Sequence, residues 1–378
     1  MRYGRSVLYS SECDDLSVHI FEITGQRISA QTLRRILGFI KSDVKQSLRT
    51  LNTLSNYCGY KDYSELMLSK KSAQKEKENS VIDLIKKFYQ IEHLDINDFS
   101  YHSASGNFAK VILKSQRIAT ELQSFLSKDK VAQIYFFERF PYIDGVSNSY
   151  RNLIRLYLQE KKEPSAQMFG YCLLHLGSIL TLNKKESRST LNKINSIGFQ
   201  NDFHPFLKGR FIMENLLEAY LNKDTESIHR YTKLAFELEK KEKRGKENGV
   251  IFPYYQYILA DAFNLIEDYS SSNKMISICE LDYNRIAVGK IASGYYEALD
   301  HIKAINLAYL GRIEDSNRIL NRIRPTDVIF IQHEYFLIQR HIAELLNCTA
   351  KRKKKVLEKL EVMIENTNFQ FFRSRIKY

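Results

Sequence analysis

The residues whose types and spacing carry the most chemistry lie between Ile28 and Gly38, in the stretch ISAQTLRRILG. Drawn as a helix, it puts Ala30, Gln31, Arg34 and Arg35 on one side and Leu33, Ile36 and Leu37 on the other. The first side is small at its start, with an amide and two guanidinium groups behind. Those side chains are the types that reach adenine and guanine edges in a major groove. Ser29 is placed to cap the helix, its oxygen accepting an otherwise unpaired amide, and Gly38 to end it in the left-handed conformation.

The flanking segments supply the elements that would hold such a helix. DDLSVHIFEITG predicts a helix with Leu16, Ile20 and Ile23 inward and Gly25 as its stop. SLRTLNTLSNY predicts a second, capped by Ser47, with Leu48, Leu51 and Leu54 inward. In the order helix, turn, IS..TLRRI.LG, basic loop, S..TL..LS.Y.GY...EL, residues 14 to 66 resemble the phage-repressor-like helix-turn-helix family. The resemblance implies a recognition helix over residues 29 to 38, with Ala30, Gln31, Arg34 and Arg35 in base-reading places. It also implies that Lys41, Lys45 and Ser47 touch phosphate, and that the partner is double-stranded DNA. An Arg-Arg pair on a small helix is also, more plainly, a solvated face.

The wider chain sets bounds. Its 378 residues exceed the usual single domain, so two or more units are expected. With 15 Gly and 5 Pro and almost no alternating pattern, the fold class is all-α. The 57 Lys and Arg against 44 Asp and Glu leave a charge of +13, which suits an anionic partner without selecting one. The charge is clustered: residues 27–49 hold six basic residues against Asp43, and residues 351–378 hold nine against three. The 5 cysteines are widely spaced, with no CxxC, so neither a disulfide framework nor a zinc site is indicated. The most apolar run, Phe169 to Leu182, is too short to span a bilayer, and a cytoplasmic protein without membrane contact is expected.

Residues 1–68 are thus expected to form the helix-turn-helix domain. Residues 69–80, SKKSAQKEKENS, lack an apolar stripe and read as a charged linker or a solvated helical spacer. Residues 81–378 give amphipathic segments of ten to twenty residues with short polar joints, broken at DINDFSYHSASGN and PYIDGVSNS. Pro164, Pro205, Pro253 and Pro325 each precede a helical run, with separations near one or two units of a helix-pair α-solenoid. Small residues recur at the ends of first helices, at Ala219, Ala262, Ala308 and Ala343. In residues 296–323, Ala304, Gly311 and Ser316 occupy the small positions of a tetratricopeptide-like repeat. Val356, Leu357, Leu360 and Met363/Ile364 give the C-terminal segment the inward stripe of a capping helix, with Lys351 to Lys355 outward.

Signals for catalysis are sparse. His333 and His341 stand eight apart without a HExxH context, and there is no GxxxxGK[ST], GxGxxG or GxSxG. Glu218, Glu267 and Glu314 read as solvated carboxylates at unit joints. No enzyme activity, metal or cofactor is expected. A reader joined to helical repeats is similar in architecture to the peptide-responsive regulators of bacteria and their phages. That likeness implies a homodimer held by the repeats and a peptide or protein ligand on their concave face, between about residues 165 and 345. The alternatives are a non-enzymatic interaction scaffold or an RNA-binding or phage-defence accessory protein.

Overall fold

Leu, Ile, Lys, Ser and Glu are the commonest residues, and every regular element among the described residues of the computed structural model is helical. The structure describes residues 3–4, 6–42, 45–91, 99–241, 252–282, 290–324 and 330–376. The chain divides into two compact units, residues 1–85 and 86–378.

The first unit holds α1 (Glu12–Thr24), α2 (Ala30–Ile36), α3 (Leu48–Tyr57) and most of α4 (Tyr63–Tyr89). Gly25 stops α1 with φ 65°, its amide donating to Phe21 O. The Ser29 hydroxyl caps α2 by accepting the Thr32 amide at 3.1 Å. Gly38, at φ 81°, follows the last turn. The core is small: Cys13, Leu16, Ile20, Ile28, Leu33 and Tyr57. α1 gives it three side chains and α2 and α3 one each, so the expected stripes are cut down. Ile23, Leu37 and Leu48 are exposed rather than inward, and α3 buries Thr53, Ser55 and Tyr57 instead. Residues 69–80 are not an irregular linker. They lie inside α4, where Lys, Glu, Gln and Ala favour helix without needing a buried face. The division between the units falls within that helix.

The second unit begins with α5 (Phe99–Lys114), α6 (Gln116–Lys128) and α7 (Lys130–Ala132), which runs on as a π-helical turn over Gln133–Glu138. A 3-10 turn at Ile143–Gly145 and α8 (Ser149–Glu160) follow. The break expected across DINDFSYHSASGN is largely helix, because its small residues serve packing. Ser105 donates to Tyr135 O at 3.1 Å, and a Cβ on Gly106 would lie 2.9 Å from the Phe140 ring. Residues 92–98 lie outside the described residues.

Five helix pairs come next: α9 (Pro164–Leu180) with α10 (Lys184–Ile197), α11 (Pro205–Leu221) with α12 (Thr225–Glu239), and α13 (Tyr254–Leu265) with α14 (Tyr269–Asp282). They continue with α15 (Lys290–Tyr309) and α16 (Ile313–Arg322), then α17 (His333–Asn347) and α18 (Ala350–Thr367). Pro164 and Pro205 open their helices and Pro253 immediately precedes one, positions where a missing amide removes no helix bond. Pro325 lies outside the described residues.

The first four pairs share one turn. Its central residue is Leu182, Lys223, Glu267 or Gly311, each left-handed, with φ of 56°, 57°, 64° and 76°. The next amide returns to the helix five residues back, as Asn183 to Ser178 O, Asp224 to Ala219 O, Asp268 to Phe263 O and Arg312 to Leu307 O. Aligned on that turn, Ser272 donates to Ala260 O at 2.7 Å and Ser316 to Ala304 O at 2.8 Å, each clamping a second helix to its first. In the first pair the place of Ala260 and Ala304 is taken by His175.

Each first helix packs on the next, and the second helix of a pair also touches the next first helix. The seam has its own complementarity. Asn306 donates to Ser272 and Asn347 to Ser316, both at 2.8 Å, while at the equivalent place in the second pair Ile228 stands opposite Ala262. In α18, Val356, Leu360 and Ile364 are buried and Lys351 to Lys355 exposed.

The fifth pair returns to the start of the unit. Asp144 accepts the amides of Glu334 and Tyr335, each at 2.9 Å, and the Ser147 hydroxyl donates to Thr367 O at 2.6 Å. Phe369, Phe371, Phe372 and Ile376 are buried beyond α18. Arg375, 1 % exposed, donates to Asn264 O at 2.9 Å and Leu265 O at 3.0 Å, with its guanidinium over the Tyr309 ring. The C-terminal ends of the first helices are therefore occupied by the chain itself.

Candidate functional site

Two places collect functional side chains, one in each unit. In the first unit α2 is only seven residues long, so it offers two turns, and tertiary contacts decide which residues face out. Ala30 packs against the core. Arg34 turns back to α1: its Nε donates to Ser10 O at 3.0 Å and its guanidinium pairs with Asp14. Both depart from the outward face that periodicity gave them. A two-turn helix leaning on α1 half-buries its first residue, and Asp14 pairs with the Arg34 guanidinium.

Gln31 is exposed and Arg35 half-buried, and Lys41 and Lys45 are exposed. Ser47 is exposed as well, but its hydroxyl already caps α3 by accepting the Thr50 amide at 3.2 Å. Among the described residues Arg27, Arg35, Lys41, Lys45 and Arg49 have neither a hydrogen-bonded acid nor an ion pair. Asp43 is outside the described residues.

The second place is a cavity of about 430 Å³ in the second unit. It lies at the N-terminal ends of the first helices, whereas Arg375 and its aromatic neighbours lie at their C-terminal ends. One ring comes from each successive helix: Phe169, Phe206, Tyr254 and Tyr295. Their centroids follow one another at 6.4, 6.3 and 5.6 Å. The π-turn brings Glu138 and Arg139 to the rim, and α5 brings His102.

Glu138 is satisfied, accepting from Tyr157 at 2.7 Å and from Lys161 at 2.5 Å. Arg139 is exposed and has no hydrogen-bonded acid among the described residues. Its charge is felt at three other lining groups. Burial and then the Arg139 cation push His102 down to about 4, so the imidazole is neutral near pH 7. Its buried Nδ1 has no partner. Burial pushes the phenols of Tyr254 and Tyr295 up, and Arg139 opposes the shift in both. The result is an aromatic wall with neutral hydrogen-bonding groups beside it and the Arg139 cation at its edge.

Sequence reasoning did not assemble this cavity, because its lining is drawn from residues 102 to 295. One signal was present. Ser165, Phe206 and Tyr254 each directly follow Pro164, Pro205 or Pro253, so the prolines that mark helix starts also mark the cavity wall.

A third cluster serves architecture. His175 is fully buried, with Nδ1 2.8 Å from Glu214 and Nε2 3.1 Å from Ser187 and 3.4 Å from Glu218. Burial disfavours the imidazolium, but the two carboxylates outweigh it and raise the pKa. Glu218, bonded to His175 and Ser187, is held down to about 2. It is therefore a joint between pairs and not a solvated carboxylate. His341 pairs with Glu344 at 2.8 Å. Among the described residues no group of three His, Cys, Asp or Glu side chains is arranged to hold a metal. No helix among them is long and apolar enough to cross a membrane.

These features define a helical repeat-like protein with a separate small helical unit. No family model matches the chain, and no curated protein or solved structure does either.

Proposed function

We propose that the chain is a DNA-binding transcriptional regulator whose first unit is a helix-turn-helix reader and whose tetratricopeptide-like repeats dimerise and sense a peptide or protein ligand. The observation that carries the reading is the set Arg27, Arg35, Lys41, Lys45 and Arg49, five cations without an acidic partner among the described residues, around a helix that also exposes Gln31. Cations so placed release counterions when they meet phosphate, the main source of affinity for duplex DNA. Gln31 and Arg35 remain for base edges, while Arg34 fixes α2 against α1. One such unit covers a half-site, so a two-fold dimer is the economical way to reach useful specificity.

The test is genomic footprinting of the tagged chain, together with anisotropy titrations on the recovered duplex. Lys41→Glu with Lys45→Glu should weaken binding by about tenfold or more per site pair and flatten the salt dependence. Light scattering should give twice the chain mass. If the chain binds no duplex at micromolar concentration and low salt, and instead holds a stable protein partner, the scaffold reading replaces this one.

A further inference from the structure

The cavity at the N-terminal ends of α9, α11, α13 and α15 has a chemistry that selects its occupant. Its walls are Phe169, Phe206, Tyr254 and Tyr295, and its volume of about 430 Å³ falls in the range of roughly 300–1,000 Å³ typical of small-ligand sites. Such walls take a flat or bulky apolar body, because rings 5.6–6.4 Å apart leave faces and edges for a further ring.

The polar groups are not neutral in balance. Glu138 is held by Lys161 and Tyr157, and among the described residues no other carboxylate lines the cavity. Arg139 is left as the uncompensated charge, with a planar fork suited to a carboxylate. Its field already bears on His102, Tyr254 and Tyr295, so the guanidinium and the aromatic wall face one space. The unpartnered Nδ1 of His102 adds a hydrogen-bonding group at the same wall.

From this we infer that the cavity binds a carboxylate carried on an aromatic or bulky apolar group, with Arg139 holding the acid and the four rings holding the apolar part. The C-terminal residue of a peptide and a free aromatic acid share this chemistry. The inference deepens the sensing role proposed above by naming its site and ligand class, but the binding itself does not depend on DNA.

Calorimetry on the full chain without DNA separates the two claims. The probes are N-acetylphenylalanine and Gly-Gly-Phe, each as free acid and as C-terminal amide. The acids are expected to bind at least about tenfold more tightly than the amides, as for a charge-assisted pair. Arg139→Ala should remove that preference and leave the weak binding of the amides unchanged. Ser165 is exposed at the rim, so Ser165→Trp should block all four probes without disturbing the core, and melting curves will show both variants folded.

A tighter tripeptide acid identifies a peptide terminus as the source, and a tighter single residue identifies a free acid. Acids that bind no better than amides, an Arg139→Ala protein with unchanged preference, or no binding up to millimolar probe would each overturn the inference. Binding with unchanged DNA affinity keeps the site and removes the sensing role.

Discussion

Arg34 and Arg35 are neighbours with the same side chain, but Arg34 is tied to α1 while Arg35 has no acidic partner among the described residues, so under the proposed function replacing each by Ala separates stability from recognition. Arg34 donates to Ser10 O at 3.0 Å and pairs with Asp14, with side-chain exposures of 25 % and 62 %. A pair this exposed contributes up to about 1 kcal/mol. The charged bond to a carbonyl adds about 1.5 kcal/mol at the low end of its range. Arg34→Ala should therefore loosen the α1–α2 contact by about 2 kcal/mol, which speeds exchange of the protected amides there by about thirtyfold.

Hydrogen exchange read by mass spectrometry on the full chain reports this without requiring a clean melt of two units. Asp14→Asn removes the pair but leaves the bond to Ser10 O, so it should show the smaller part of the effect, up to about 1 kcal/mol, and the double variant should fall short of the sum. Arg35→Ala should leave exchange unchanged and lower affinity for the footprinted duplex. A lost base contact appears as about 1–3 kcal/mol on that sequence alone. A lost phosphate contact appears as a salt slope reduced by about one. Unchanged exchange in Arg34→Ala, or unchanged affinity and slope in Arg35→Ala, would refute the division of labour.

Two further outcomes concern the repeats. Asp261 accepts from Tyr335 at 3.0 and 2.8 Å, and burial pushes its carboxyl up to about 6. A folded-state pKa above the unfolded value favours the protonated form, so stability is fully present below about pH 4 and lost as pH rises through 6. Measured against Asp261→Asn in urea titrations, the wild type should lose about 3 kcal/mol of relative stability between pH 4 and 7. Leu182 sits at φ 56° with 47 % of its surface exposed, whereas the equivalent turn residue in the fourth pair is glycine. Leu182→Gly should raise the unfolding free energy from urea titrations by about 0.5–1 kcal/mol, since relief of left-handed strain exceeds the entropy added to the unfolded chain.

Local chemistry made the boundaries of α2 legible. Ser29, Gly25 and Gly38 act within a few residues of themselves, and each does what its type dictates. Which face looks outward was not legible, because seven residues give too few turns for periodicity to outweigh one acid on another helix. Residues 69–80 left a charged linker and a solvated helical spacer both open, and α4 takes the second course. An apolar stripe reveals a helix that packs, whereas residues 69–80 are helical by propensity alone. In the repeats, the Ser316 bond to Ala304 O accounts for the serine, while the position of Ala304 accepts His175 in the first pair. The cavity was beyond reach because Arg139 and Tyr295 meet only after four first helices have stacked. Glu218 was misread for a related reason: its partner His175 fills a position that is alanine in the later pairs.

The return of residues 334–376 to the beginning of the second unit bears on how the protein is made. An open array of repeats grows on the ribosome one pair at a time, each pair settling on the last. Here the Asp144 carboxylate has no α17 amides to accept until Glu334 and Tyr335 exist, and the carbonyls of Asn264 and Leu265 wait for Arg375. Those contacts span 190 and 110 residues or more of chain, so the nascent repeats must wait, partly unsealed, until the segment that locks them has emerged.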